Sequence, residues 1–217
     1  VLTGYPKLAD ARRLGRAQGC LLGQAVGDSL GSLIEFESAV HIARVHPQGV
    51  RELSDGGTWD TIAGQPTDAT EMALALARSI LAKGRYDAKA ALAAYRAWLA
   101  TAPFDVGASI GAALEGAPNP ESQGNGSLMR VSPVGVWAAG DAARAAAAAR
   151  EDSSLTHPNA VCADACAAYA AAIATGVAGG GRDAMLAAAL AHAAARARAV
   201  IESAAAGEPV RDFASSQ

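Results

Sequence analysis

Apolar positions recur every three or four residues along most of the chain, and the strict alternation of a half-buried strand is rare, so the pattern predicts helix almost throughout. Leu14, Ala17, Leu21, Leu22, Ala25 and Val26 set one apolar face on a helix from about Asp10 to Leu30, and Gly19, Gly23 and Gly27 add a stripe expected to let another helix approach closely. The stretch from Pro47 to Pro66, with Asp55-Gly56-Gly57 and Gly64-Gln65-Pro66, reads as a surface loop carrying Trp59. Thr67 is then the expected N-cap of a helix whose buried face is Met72, Ala73, Leu76, Ser79 and Ile80 and whose end lies near Gly84. Further helices are predicted over Asp87 to Ala100, Val106 to Glu115, Leu128 to Ala138, Asp141 to Arg150, Asn159 to Thr175 and Arg182 to Ala206, with Gly179-Gly180-Gly181 as a turn. No fixed period marks a solenoid. The expected class is all-α.

Composition sharpens this picture. Alanine dominates and favours helix wherever Gly and Pro do not interrupt it. With 217 residues the chain is long enough to bury a core without disulfides or a structural metal. Eighteen Lys and Arg against 21 Asp and Glu leave a net charge of −3, without the basic excess of a nucleic-acid coat or membrane-surface protein. Neither nucleic acid nor membrane is therefore an expected partner, and the oligomeric state stays open. Cys20, Cys162 and Cys166 are an odd number at no disulfide-framework spacing, which fits a reducing compartment. No apolar run of about 18 residues is free of Gly or charge, so a cytoplasmic location is the default expectation. The start at Val1 and the tail Phe213-Ala214-Ser215-Ser216-Gln217 suggest a trimmed chain or a fragment.

Four segments gather unusual residues at helix ends. Gly27-Asp28-Ser29-Leu30-Gly31, followed by Glu35 and Glu37, is either a cap with a solvated loop or an acidic site. Gly64-Gln65-Pro66-Thr67-Asp68-Ala69-Thr70-Glu71 crowds hydroxyl and carboxylate oxygens into one helical turn, which suits Mg²⁺ or Mn²⁺ but equally suits a capping box and the helix dipole. Gly124-Asn125-Gly126-Ser127-Leu128-Met129-Arg130 offers backbone N–H groups, a hydroxyl and a guanidinium for phosphate oxygens, or else a plain Asn-Gly turn capped by Ser127. Thr156-His157-Pro158-Asn159 places His157 in a turn before a helix, and Asp105 of Asp105-Val106-Gly107 is either an N-cap or a ligand. Cys162 and Cys166, one turn apart without further soft ligands, read as small core residues.

In this order and at these separations the segments resemble the ADP-ribosylglycohydrolase family, and most closely its dinitrogenase reductase-activating glycohydrolase branch. The likeness runs from about Leu14 to Thr175, through Gly19-Cys20-Leu21-Leu22-Gly23-Gln24-Ala25-Val26-Gly27-Asp28, Gly64 to Asp68, Asp105 to Gly107, Gly124 to Arg130 and Thr156-His157. It implies one orthogonal all-α domain over residues 1–217, with a cleft that holds two divalent ions, Mg²⁺ or Mn²⁺, and removes ADP-ribose from modified side chains. Glu35 matches an acidic residue beside the metals and the scissile ribose. Thr67 and Asp68 match metal ligands of a Thr-Asp-Asp-Thr motif. Gly124, Asn125, Gly126, Ser127, Met129, Arg130 and His157 match positions lining the ADP-ribose pocket, and Asp105 matches one near the distal ribose. Glu35 and Asp68 are thereby the expected catalytic carboxylates, with Thr67, Asp68 and Glu35 as metal ligands.

The chain departs from that pattern. Ala69 stands where the family has its second aspartate, Ala108 where relatives usually carry Asn or Asp, and no Asp-x-Asp pair supplies the further ligands of the family's C-terminal segment. The expected metal site is weakened. Three readings follow: a hydrolase acting on ADP-ribosylated protein, with arginine the favoured linkage; an ADP-ribose-binding module that does not hydrolyse; and an Ala-rich helical scaffold.

Overall fold

The structure, a computed structural model, describes residues 10–207; Val1 and the Phe213–Gln217 tail lie outside the described residues. Ten helices and no strand occur among them: α1 Ala11–Gly31, α2 Ala39–Val45, α3 Asp68–Lys83, α4 Ala88–Leu99, α5 Ala108–Leu114, α6 Ser132–Trp137, α7 Ala142–Ser154, α8 Ala160–Ala178, α9 Arg182–His192 and α10 Ala195–Ala205. The all-α expectation holds. Side-chain caps start several helices: Asp10, Ser38, Asp87, Asp141 and Asn159 each accept backbone N–H groups of the turn they precede.

One core joins α3 to α8. Met72, Leu76 and Ile80 of α3 meet Tyr95 and Trp98 of α4, Ile110 and Leu114 of α5, Val134 of α6 and the alanines of α7 and α8. Small side chains let these backbones close together. A Cβ on Gly135 of α6 would sit 2.7 Å from Ile173 and 2.8 Å from the Ala170 carbonyl of α8, so only glycine fits that crossing. By length and composition alone α8 could cross a membrane; in this fold it is the central helix, packed by α6, α7 and α9 and half buried.

Within this apolar interior lies an ion pair. Arg130 and Asp152 are both fully buried, with Arg130 Nε 3.2 Å from Asp152 Oδ2. The guanidinium also donates to the carbonyls of Gly126 and Asp152 and to Thr156 Oγ1, and it lies 4.3 Å from the Tyr95 ring centroid. Tyr95 donates its hydroxyl to the other Asp152 oxygen at 2.9 Å. Burial together with the Asp152 charge holds the Tyr95 phenol well above its ordinary range. Every polar atom of the cluster has a partner, the condition under which such a pair is tolerated in a core.

Several expectations are corrected. Among the described residues the stripe Gly19, Gly23 and Gly27 meets no other helix: a Cβ at each would find nothing of them within 4 Å. Leu14, Leu22 and Val26 are likewise exposed, because α1 docks through its polar side. Arg13 and Arg16 donate to the carbonyls of Ala139 and Val177, and Gln24 donates to those of Ala69 and Met129. Helix α2 was not anticipated; it is only seven residues long, and its best signal is the Ser38 cap. The expected helix at Leu128 begins at Ser132, because Asn125 to Arg130 forms a turn in which the Asn125 carbonyl accepts from both Leu128 and Met129. The long helix at Arg182 breaks at Ala193-Ala194, both extended. No local breaker marks the break. Arg198 and Arg150 donate instead to the exposed carbonyls of Leu190 and His192, replacing the lost helical bonds.

Replacing Asp152 by alanine leaves Arg130 charged and buried without its partner, and we expect a cost of about 3–5 kcal/mol in urea unfolding. A loss below about 1 kcal/mol, the scale of an exposed pair, contradicts the described cluster.

Candidate functional site

Asp28 builds the floor of the site from a distance. Its carboxylate accepts from Thr67 N at 3.0 Å, Thr70 N at 3.1 Å and Thr67 Oγ1 at 2.7 Å, so the residue that caps α3 is supplied by α1. Thr67 itself makes no side-chain cap bond, and no capping box forms, since the position three residues on is Thr70; Glu71, one further, accepts from the Trp98 indole at 2.7 Å. This trans cap fixes the first turn of α3 and turns Asp68 toward a cleft, where its Oδ2 accepts from Gly107 N at 3.3 Å. Asp105, just before, is not the N-cap of α5; Gly107 takes that place.

The cleft has a volume of about 960 Å³. Glu35, Asp68, Asp105, Gly124, Asn125, Gly126, Met129 and His157 all line it, so the helix-end segments do share one hollow. Three expected residues stay off its wall. Thr67 is buried against Asp28, Ser127 is fully buried and accepts from Ser153 at 2.9 Å, and Arg130 spends its donors on the internal cluster. The cation and hydroxyl of the glycine loop therefore support it from behind. Arg196 of α10 lines the cleft instead, together with Ser109, Asn119, Glu121 and Ser122. No sequence signal pointed to Arg196, because the break before α10 that brings it there has no local cause.

Glu35 is held from two directions: Trp59 Nε1 donates to its Oε2 at 3.0 Å, and the Thr58 hydroxyl donates to its carbonyl. Gly57 makes this closure possible, with φ +75° and a hypothetical Cβ only 2.6 Å from the Ser32 carbonyl oxygen. At the other end His157 packs beneath the glycine loop, where a Cβ on Gly126 would come within 2.8 Å of its Cε1. Burial, then the Arg130 charge, lower its pKa to about 4, so the ring is neutral at neutral pH. Thr156 Oγ1 accepts from Arg130 at 2.8 Å and lies 2.9 Å from His157 Nδ1, while the ring's Nε2 faces Gly124.

The sequence profile of the ADP-ribosylglycohydrolases matches residues 9–216. The chain belongs to the ADP-ribosylglycohydrolase family. It is 36% identical over 161 residues to the ADP-ribosyl-[dinitrogen reductase] glycohydrolase of Rhodospirillum rubrum, covering 70% of this chain and 54% of that one. It is 32% identical over 147 residues to the ADP-ribosylarginine hydrolase Tri1 of Pseudomonas putida (strain GB-1), covering 60% of this chain and 38% of that one. Among solved structures an ADP-ribosylglycohydrolase-related protein complex superposes with a TM-score of 0.73 at 30% identity, over 88% of this chain and 67% of that one. The chain thus spans about half the length of the sequence relatives it matches.

The two divalent ions that the family resemblance implies are not matched by the donors here. Among the described residues no three Asp, Glu, His or Cys side chains come together to share a cation, Ala69 offers no side-chain oxygen, and the Thr67 hydroxyl is engaged by Asp28. The set does not fit a two-ion centre.

The family cleft instead keeps its carboxyls partly protonated. Burial, then Asp105, raise Asp68 to about 7, while burial, then Glu35 and Asp28, raise Asp105 to about 6. The folded state therefore holds protons that the unfolded chain releases near its ordinary carboxyl pKa of about 4, so these groups remove stability as the pH rises from about 4 to 7. In a chelating buffer Asp68→Asn should melt higher than the wild type at pH 8, with the gain gone at pH 4. A lower melting temperature at pH 8 contradicts this electrostatic account.

Proposed function

We propose that this chain acts on ADP-ribosylated protein, binding the ADP-ribose in the cleft and cleaving its glycosidic bond to the modified side chain, with arginine the favoured linkage. The observation that carries this reading is the lining of one cleft, in which the carboxylates Glu35, Asp68 and Asp105 are brought together with the Gly124–Gly126 loop and the neutral His157. Backbone N–H groups of a glycine turn are donors for phosphate and ribose oxygens. Arg196 adds the positive charge that a diphosphate needs, in place of the internally engaged Arg130. The names of the two relatives, one acting on ADP-ribosyl-[dinitrogen reductase] and one on ADP-ribosylarginine, support the substrate class.

Cleavage at the ribose anomeric carbon passes through an oxocarbenium-like state, which carboxylates in a partly dehydrated site stabilise. In the proposed reaction water adds to that carbon as its bond to the acceptor nitrogen breaks. Glu35, oriented by Trp59, takes the proton of the water, and Asp68 gives one to the departing nitrogen; a pKa of about 7 lets it hold and release that proton near neutral pH. Any Mg²⁺ or Mn²⁺ meeting Asp68 and Glu35 is held weakly by so few donors.

That weakness favours one alternative, a protein that binds ADP-ribose without releasing it. Free ADP-ribose at millimolar concentration is expected to raise the melting temperature in chelating buffer. With ADP-ribosylarginine the wild type should release ADP-ribose, whereas Glu35→Gln should bind the compound with release at least 100-fold slower, a general-acid-base scale effect of about 10²–10⁴. Binding without release by the wild type selects the alternative, and normal release by Glu35→Gln removes Glu35 from the mechanism.

A further inference from the structure

Beside two of the cleft carboxylates, Glu35 and Asp105, stand three aromatic rings that the described core does not use. Trp59 meets Phe36 at 6.4 Å and 79° and Phe104 at 6.1 Å and 62°, an edge-to-face row across three separate loops. Phe36 is 69% exposed and Phe104 41% exposed, although phenylalanine usually gains most by burial. Each is the immediate chain neighbour of a cleft carboxylate, Phe36 following Glu35 and Phe104 preceding Asp105. The Trp59 indole is anchored to Glu35 itself.

Backbone strain collects at the same place. Among the described residues the only non-glycine positions with positive φ are Phe36 at 62°, Asp60 at 49° and Ala102 at 54°. One is a rim residue, the next follows Trp59, and the third lies two residues before Phe104. A bulky residue in the left-handed region is an outlier held there by its surroundings, and such strain gathers where a side chain must be presented in a particular direction.

We propose that the rim of Phe36, Trp59 and Phe104 seats the guanidinium of the modified arginine, making this side of the cleft a reader of the acceptor side chain. This rests on the reading of the cleft as an ADP-ribose site. The ligand class follows from charge and shape. A planar, delocalised, weakly hydrated cation gains from ring faces and from carboxylates together, and Glu35 and Asp105 are the chain neighbours of two of the rings. The group attached to the anomeric carbon must lie against the carboxylates that act on its bond, and the rim adjoins Glu35 through the Trp59 indole. A serine acceptor has neither the charge nor the plane to use it.

The test measures dissociation constants in chelating buffer for free ADP-ribose and for one peptide carrying ADP-ribose on arginine or on serine. Phe36→Gly with Phe104→Ser removes two exposed rings while keeping the Trp59–Glu35 bond. Affinity for the arginine-linked peptide should fall about tenfold, the combined scale of two cation–π contacts. Affinity for the serine-linked peptide and for free ADP-ribose should change less than twofold, and Phe36→Tyr with Phe104→Tyr should retain wild-type preference. Equal losses for all three ligands, or no loss for any, overturn the proposal while leaving the cleft reading intact. Failure of the wild type to bind free ADP-ribose removes both.

Discussion

The buried contact between Arg130 and Asp152 is the constraint on which the site depends. A guanidinium in a core of alanine, valine and leucine is stable only if each donor is met, and the surroundings meet them with groups drawn from α4, α7 and two cleft-lining turns. One donor holds the Gly126 carbonyl and another the Thr156 hydroxyl, which in turn orients His157. The charge is thus converted into shape: it holds a carbonyl of the glycine loop and, through Thr156, the ring of a histidine, without touching the cleft.

A similar logic operates at the acidic end. Asp28 reaches from α1 to satisfy the first N–H groups of α3, which leaves Asp68 free to turn outward beside Asp105. Helix α1 is fastened by arginine, glutamine and aspartate, while Leu14, Leu22 and its glycine stripe meet no packing partner among the described residues. Two carboxyls raised to about 7 and about 6 are the electrostatic result of this packing. Their proximity is unfavourable for folding at neutral pH, a common property of sites arranged for proton transfer or for a cationic group.

Much of this architecture was legible in the sequence because it is local. The α3 face of Met72, Ala73, Leu76 and Ile80 and the caps Asp87, Asp141 and Asn159 follow from periodicity and from short polar side chains beside backbone N–H groups. The gathering of Glu35, Asp68, Asn125 and His157 into one hollow was legible through the family resemblance, which supplied the long-range order that spacing cannot. What escaped is nonlocal. Nothing near Thr67 announces that Asp28 caps its helix, nothing near Ala193 announces that Arg150, 42 positions before His192, will donate to the freed carbonyl there, and a glycine stripe does not say whether a neighbour covers it. Arg130 illustrates the ambiguity most clearly: a cation ending a glycine loop reads as a phosphate ligand, yet its partner Asp152 lies 22 positions away and takes it inward.

The central claim is that these helix ends form a single ligand cleft with a glycine-loop floor and an acidic flank. Hydrogen exchange with and without ADP-ribose tests it most directly, because protection reports which backbone groups the ligand covers. The account predicts slowed exchange at residues 105–111 and 122–129, with α9 and the open face of α1 unchanged. Protection confined to α9, or absent at residues 122–129 under saturating ligand, contradicts it.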